Sequence, residues 1–209
     1  MQDWNQLRER MVETLIRYGI RDRAILDAMG SVPRHRFIPE SHRSRDAYGD
    51  HPCPIGNGQT ISQPYIVAYM TELLQLAPRH RVMEIGTGSA YQTAVLAEIA
   101  EHVYTVETVP ELHRHATHIL PDMGYDNVSV RLGDGYEGWP EEAPFDRIVV
   151  TCAPPTVPDS LTAQLADGGR MVLPVGAYSQ RLVVVTRESG RISTSDDLPV
   201  AFVPMVPPG

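Results

Sequence analysis

The beginning of the chain carries apolar positions at helical spacing. The earliest of these positions are Trp4, Leu7, Met11 and Leu15. Their three- and four-residue steps predict an amphipathic helix that ends near Gly19. Asp22 is a good N-cap residue and predicts a second, short helix through Met29. A polar stretch rich in glycine and proline follows from Ser41 to Gly58. It predicts a long loop, and such loops are often functional.

The segment after this loop predicts a third helix. It has the sequence TISQPYIVAYMTELLQL. Ser62 is predicted to be the N-cap residue, and Pro64 suits the first turn because an N–H there would lack a helical partner. Apolar side chains recur from Ile66 to Leu74, so one face of the helix is expected to be buried.

From Arg81 onward, short apolar runs alternate with helical segments. The predicted strands are RVMEIG, HVYTVE, NVSVRLGDG, FDRIVVTCA, RMVLPVG, RLVVVTR and the tail near AFVPMV. Helices are predicted from Tyr91 to Ala100, from Pro110 onward, and from Pro158 to Leu165 with Gly168 and Gly169 ending the last. Such alternation predicts an α/β fold with a mostly parallel sheet.

Length and composition limit the classes of protein that this chain can represent. Its 209 residues suit one α/β domain, with 1–60 as a helical and loop cover on the sheet and 61–209 as the core. There are 26 acidic and 18 basic residues, a net charge of −8, which disfavours binding to nucleic acid. No apolar run approaches the roughly 20 residues of a membrane helix. The polar start does not resemble a signal peptide, so we expect a cytoplasmic protein without a membrane partner.

The cysteines and histidines predict no metal site. Cys53 and Cys152 stand far apart and form no CxxC pair. The only histidine cluster, within residues 113–118, has a spacing that is poor for ligands on one helix.

A glycine-rich turn between a predicted strand and a predicted helix is the sharpest motif. Residues 82–90 are VMEIGTGSA, so the turn contains Gly86, Thr87, Gly88 and Ser89. Glycines there permit a tight turn and a close approach of the backbone to a ligand. Glu84 precedes the turn, where a carboxylate can take the ammonium group of a bound methionine moiety.

Two more acidic residues are predicted at strand ends. Glu107 ends the second strand, where a carboxylate can accept both ribose hydroxyls. Asp134 follows the third strand, where its carboxylate and the Gly135 amide can contact an adenine edge. Ligands of open α/β sheets bind at the carboxyl ends of the strands. A nicotinamide dinucleotide is the rival ligand, but Tyr91 stands where its GxGxxG motif needs the third glycine. S-Adenosylmethionine is therefore favoured.

Several of these motifs together resemble the bacterial protein-L-isoaspartate O-methyltransferases. The resemblance covers nearly the whole chain in order, through VPRHRFIPE, PIGNGQTISQPYIVAYMTELL, VMEIGTGSAYQTAVLA, LGDGYEGWPEEAPFDRIVVTCAPPTVP, LADGGRMVLPVG and FVPMV. It implies a Rossmann-like, doubly wound class I methyltransferase fold that binds S-adenosylmethionine and releases S-adenosyl-L-homocysteine. It further implies methylation of the α-carboxyl group of L-isoaspartyl residues in damaged proteins and peptides, which starts repair through a succinimide.

The resemblance also implies roles for individual residues. Ser62 corresponds to the active-site serine of the family. Thr60, Ile61 and Gln63 are expected to contribute contacts to the substrate, and Val175 is a candidate for its wall. The family usually has GTGSG, whereas this chain has Ala90 in the last position, which costs on the order of 1 kcal/mol if the backbone there needs a positive φ.

Two alternatives to general repair stay open from the sequence. Relatives of this family can methylate aspartate in a dedicated peptide, and the same fold can serve as a non-catalytic binding module. The reaction itself needs no general base, because a carboxylate with a pKa near 4 is already ionised at neutral pH. Catalysis is therefore expected to depend on positioning and on the exclusion of water.

Overall fold

A computed structural model describes residues 3–41, 43 and 47–206 of the chain. The helices are α1 (Trp4–Arg17), α2 (Arg23–Ser31), α3 (Pro64–Leu74), α4 (Tyr91–Ala97), α5 (Pro110–Asp122) and α6 (Asp159–Ala163). Asp3 and Asp22 cap α1 and α2 by accepting from backbone amides of the first turn. The predicted capping by Asp22 is thus confirmed, as is the place of Pro110 in the first turn of α5.

The strands form two sheets of different size. They are β1 (Cys53–Gly56), β2 (Gln59–Ile61), β3 (Arg81–Ile85), β4 (His102–Glu107), β5 (Val128–Leu132), β6 (Phe145–Val150), β7 (Leu165–Val175), β8 (Gln180–Glu188) and β9 (Arg191–Val200). β1 and β2 form an antiparallel hairpin. The other seven are ordered β5-β4-β3-β6-β7-β8-β9. The first five in this order run parallel, and β8 and β9 are antiparallel additions.

Both faces of the large sheet are covered, as expected for a doubly wound fold. Successive side chains of β3 alternate between the faces. Met83 and Ile85 lie in a core that includes Leu161 of α6, whereas Val82 lies in a core with Leu74 of α3. The predicted α/β fold with a mostly parallel sheet is therefore confirmed.

The N-terminal helices pack on other helices more than on the sheet. α1 and α2 contact α3, and α2 also contacts α4. Their buried side chains share a core with Tyr91 and Ala94 of α4 and with Leu112 of α5. The N-terminal cover therefore lies mainly over the helices that flank the sheet. The single-domain prediction and its division at residue 60 stay predictions.

Three further predictions about local structure were wrong. The stretch predicted as one long loop contains β1 and begins the hairpin; four of its residues (42 and 44–46) lie outside the described residues. Gly168 and Gly169 lie inside β7, where the pairing with β6 is irregular, instead of ending α6. The last strand is β9, and the AFVPMV tail contributes only a bridge between Pro204 and Ala153.

No helix in the described parts of the chain is long and apolar enough to cross a membrane.

Candidate active site

A cleft opens at the carboxyl ends of β3, β4 and β6, where the strand order reverses. Its empty space, including the part that is open to solvent, measures about 810 Å³. The walls come from four parts of the chain and a few single residues: Gln59–Ser62, Ile85–Ser89 with Tyr91 and Gln92, Val106–Val109 with Leu112, and Val203–Val206, with Val67, Gly135, Thr151 and Cys152 added. Parallel pairing brings these strand ends side by side, since Ile85 pairs with both Val106 and Val150.

The glycine-rich turn forms the floor of the cleft. Gly86 and Gly88 have φ values of 93° and 54°, which favour glycine. A Cβ on Gly86 would lie 2.5 Å from Oγ1 of Thr151. That hydroxyl donates to the carbonyl of Gly86 at 2.6 Å. Thr151 therefore holds the turn against the end of β6, and sequence analysis did not identify it.

Glu107 lies on the wall of the cleft, as predicted. Its Oε2 accepts from the Gly88 amide at 2.7 Å, and its Oε1 accepts from the amides of Thr108 and Val109 at 3.0 and 2.9 Å. The side chain is only 4% exposed. These three amides fix the carboxylate in one orientation at the end of β4.

Glu84 lies behind the glycine turn and does not line the cleft. Its Oε2 accepts from the hydroxyls of Thr93 and Thr105 at 2.5 and 2.6 Å, and Oε1 has no partner among the described residues. Burial raises the pKa of this carboxyl group to about 8, although the two hydroxyls act against that rise. The Thr105 hydroxyl also bonds that of Thr87, which lies on the cleft, at 2.6 Å.

Of the predicted pair Asp134 and Gly135, only Gly135 lines the cleft. Asp134 accepts from the Tyr136 amide at 2.8 Å and shapes the turn after β5. A Cβ on Gly135 would lie 2.7 Å from Ile85 and 3.0 Å from Met205. Only glycine therefore fits there, and its backbone forms part of the wall.

Ser89, Ala90 and Tyr91 lead from the turn into α4. Ser89 Oγ accepts from the Tyr91 amide at 3.2 Å. Ala90 has a φ of 68°, in the left-handed region. The steric cost that we expect for alanine at a positive φ therefore applies to this residue. Tyr91 borders the cleft but is fully buried, and its hydroxyl donates to Met29 of α2 at 3.6 Å. Its ring thus joins the cofactor turn to the N-terminal cover.

The opposite wall contains three of the predicted substrate residues. Thr60, Ile61 and Ser62 all line the cleft. Ser62 does not cap α3. The N-cap residue is Gln63, whose side chain makes no capping hydrogen bond. The N-cap prediction was wrong because the chain turns into the helix one residue later. The Ser62 hydroxyl has no hydrogen-bond partner among the described residues, so it is available to a ligand.

Two other predicted substrate residues lie outside the cleft wall. The Gln63 side chain donates to Asp50 at 2.8 Å, and Val175 is half-buried at the end of β7. Val203–Val206 line the cleft. The tail reaches it through two hydrogen bonds with Ala153, whose amide donates to Val203 and whose carbonyl accepts from Met205.

Cys152 is a further cleft residue without a predicted role there. It is a free thiol. Burial, with a smaller contribution from the Glu107 charge, raises the pKa of this thiol to about 12. The thiol is therefore neutral at physiological pH. No cluster of His, Cys, Asp or Glu in the described ranges is arranged to hold a metal ion.

The residues of the cleft fit S-adenosylmethionine. The positive-φ glycines and Gly135 leave space that side chains would fill. The rigid Glu107 carboxylate suits ribose hydroxyls at the end of a second strand. Oε1 of Glu84 has no partner among the described residues, so it leaves an acceptor behind the turn. The other oxygen, Oε2, is linked to the cleft through the hydroxyls of Thr105 and Thr87.

Comparisons with known proteins find one family along nearly the whole chain. The family model described as Protein-L-isoaspartate(D-aspartate) O-methyltransferase (PCMT) matches residues 5–208. A protein-L-isoaspartate O-methyltransferase of Gloeobacter violaceus is 54% identical over 90% of this chain and 92% of its own length. One from a Picosynechococcus strain is 52% identical over 95% and 90%, respectively.

A solved structure has the same fold. It is from Plasmodium falciparum, is described as a protein-L-isoaspartate O-methyltransferase in complex with S-adenosyl-L-homocysteine, and is 27% identical, with a TM-score of 0.82 over 94% of this chain and 97% of its own. From the family model and these relatives, together with the glycine turn, Glu107 and Ser62 in one cleft, it follows that this chain belongs to the protein-L-isoaspartate O-methyltransferase family.

Proposed function

We propose that this protein transfers a methyl group from S-adenosylmethionine to the α-carboxylate of L-isoaspartyl residues in proteins and peptides. The observation that carries the proposal is the position of Ser62. Its free hydroxyl lines the same cleft as the glycine turn and Glu107. A carboxylate and the cofactor can therefore occupy one enclosed space with a hydrogen-bond donor beside them.

The reaction requires positioning more than acid–base chemistry. The cofactor supplies an electrophilic methyl group, and the substrate carboxylate is ionised at neutral pH. No histidine is among the described residues that line the cleft, and none is needed. The Ser62 hydroxyl donates a hydrogen bond to one oxygen of the substrate carboxylate. This contact holds the other oxygen toward the cofactor. The gain from such an orientation is large because the reacting atoms must be in line.

The two sides of the cleft have separate tasks in this proposal. Glu107 and the glycine turn hold the cofactor at the floor. Thr60 and Ile61 of the hairpin and Met205 of the tail cover the substrate and exclude water. An isoaspartyl residue differs from aspartate by an additional main-chain methylene and a free α-carboxylate, so its recognition depends on backbone shape. General damage is therefore the favoured substrate over one dedicated peptide.

Methylation of two matched peptides tests the proposal. Purified protein is incubated with cofactor labelled in the methyl group and with peptides that carry L-isoaspartate or L-aspartate at one position. Base-labile label is expected on the isoaspartyl peptide alone. Cofactor binding without label on either peptide would contradict the proposal and favour a dedicated peptide or a non-catalytic module.

A serine variant tests the assigned hydroxyl. Ser62→Ala is expected to lower kcat/KM for the isoaspartyl peptide by roughly 10- to 100-fold, the scale of a lost orienting contact. Its unfolding free energy is expected to stay at the wild-type value, because Ser62 caps no helix. Ser193→Ala on the exposed strand β9 is the matched control. Wild-type activity in Ser62→Ala would remove this residue from the mechanism. The cytoplasmic location stays a prediction.

A further inference from the structure

Asp50 lies beside the segment that presents Ser62 to the cleft. Its Oδ2 accepts from the Gln63 side chain at 2.8 Å, and its Oδ1 accepts from the Tyr65 amide at 2.9 Å. Pro64, between these two residues, has no N–H. The Asp50 carboxylate thus accepts from the Gln63 side chain through one oxygen and from the Tyr65 backbone through the other.

The other side of Ser62 is held by the hairpin. Ile61 pairs with Cys53 across β1 and β2. Ser62 is therefore the one residue between a strand end and the contacts of Asp50, and its own hydroxyl bonds to none of the described residues. Its position is determined by its neighbours, and Asp50 supplies the contacts on the helical side.

The loop that carries Asp50 is itself anchored by a buried arginine. Arg34 donates from Nε to the Ala47 carbonyl at 2.9 Å and from Nη2 to the His51 carbonyl at 3.4 Å. Arg34 is fully buried, and its guanidinium lies 5.0 Å from the ring centre of Tyr91. One chain of contacts thus runs from the start of α4 through Arg34 to Asp50.

We propose that Asp50 is a positioning residue that sets the Ser62 hydroxyl through Gln63 and Tyr65. This inference rests on the proposed function, because it assigns the purpose of the contact to the methylation site. Gln63 then acts through its bond to Asp50, without touching the substrate by its side chain. Asp50 also supplies the acceptor that α3 lacks at its N-terminus, where a carboxylate is favoured by the helix dipole.

An exchange of donor and acceptor across the contact tests the proposal. Gln63→Glu places two carboxylates against each other at the 2.8 Å contact. It is expected to lower kcat/KM for the isoaspartyl peptide by roughly 10- to 100-fold through misplacement of Ser62. Adding Asp50→Asn restores a donor and an acceptor at this contact while keeping an acceptor for Tyr65. The double variant is therefore expected to regain most of the lost activity, whereas Asp50→Asn alone has a small effect because the Gln63 amide can rotate.

Two measurements separate positioning from a general loss of structure. The affinity for S-adenosyl-L-homocysteine is expected to be unchanged in Gln63→Glu, because the cofactor turn and Glu107 are elsewhere in the cleft, and the variant is expected to stay folded at the assay temperature. In a Ser62→Ala background, Gln63→Glu is expected to have little additional effect on kcat, since Asp50 acts through that hydroxyl.

The outcomes distinguish this inference from the proposed function. Wild-type protein that methylates no isoaspartyl peptide overturns both. Active wild-type protein overturns only the positioning role if Gln63→Glu keeps full kcat/KM, if Asp50→Asn fails to rescue it, or if cofactor affinity falls in parallel with kcat. The positioning role is also overturned if Gln63→Glu lowers kcat in the Ser62→Ala background as much as it does in the wild-type protein.

Discussion

The cofactor side and the substrate side of the cleft are built in different ways. The cofactor side comes from consecutive βα units between Glu84 and Gly135, whose strand ends are adjacent through parallel pairing. The substrate side combines the hairpin with the tail around Met205, from opposite ends of the chain. Tyr91 and Arg34 connect the two sides through the N-terminal cover.

This difference predicts separable effects of substitutions. Residues of the cofactor side bond within and between neighbouring βα units, as Glu107 does to Gly88, Thr108 and Val109. The substrate side depends on contacts between a loop and the start of a helix, outside the parallel sheet, as Asp50 shows with Gln63 and Tyr65. Substitutions on the cofactor side are therefore expected to alter cofactor affinity or stability while substrate KM stays unchanged.

The largest effect on cofactor affinity is expected from Glu107→Gln. The amide cannot accept from all three backbone N–H groups, because whichever way it is turned an NH₂ group faces one of them. Affinity for S-adenosyl-L-homocysteine, measured by calorimetry, is expected to fall about 30-fold, or ~2 kcal/mol. The exposed residue Glu188 offers the matched control Glu188→Gln. A rise in peptide KM at saturating cofactor would show that the two sides are not separable.

An effect of a different kind, on the pH dependence of stability, is expected from the buried carboxyl group of Glu84. Its pKa is about 8 in the folded protein and 4.5 ordinarily, so the folded protein holds the proton more tightly than the unfolded chain. Its contribution to stability is fully present below pH 4.5 and is lost as the pH rises to about 8. The slope in this window approaches about 1.4 kcal/mol per pH unit.

Urea unfolding of wild type and Glu84→Gln across that pH window isolates this contribution. The difference in unfolding free energy between the two proteins is expected to change steadily in favour of the variant as the pH rises. A constant difference would mean that Glu84 is ionised in the folded protein throughout the window. Glu188→Gln again provides the exposed comparison.

The smallest effect is expected at Ala90, where the cofactor turn is strained. Ala90→Gly removes the steric cost of a φ of 68° and is expected to raise the unfolding free energy by roughly 1 kcal/mol. Ala94→Gly, inside α4, is expected to lower it by about the same amount. Loss of stability in Ala90→Gly would show that the turn carries no strain.

The same contrast explains how much of the molecule the sequence predicts. The places of Glu107 and the glycine turn at strand ends can be predicted because a strand followed by a helix leaves a local signal of periodicity and turn residues. Glu84 was found too, but its burial behind the turn was not, since burial depends on the threonines of neighbouring elements. Asp134 marked the right turn, although Gly135 is the residue that reaches the cleft.

Errors concentrate where long-range pairing decides the structure. The hairpin was missed because its strands are only four and three residues long and one contains Pro54. Gly168 and Gly169 predicted a helix end, yet pairing with β6 and β8 incorporates this segment into a strand. Asp50 and Arg34 carry no periodic signal. Only the folded chain shows that Arg34 holds the loop before β1 and that Asp50 contacts the start of α3.

The neutral thiol of Cys152 has a consequence for the lifetime of the protein. A cleft built around a methyl donor exposes its own side chains to an alkylating agent. Thiolates are the most reactive protein nucleophiles toward such agents, whereas protonated thiols react slowly. With a pKa of about 12, the Cys152 thiol stays protonated at physiological pH and is a weak nucleophile. Methylation of the Cys152 thiol by a bound methyl donor is therefore expected to be slow.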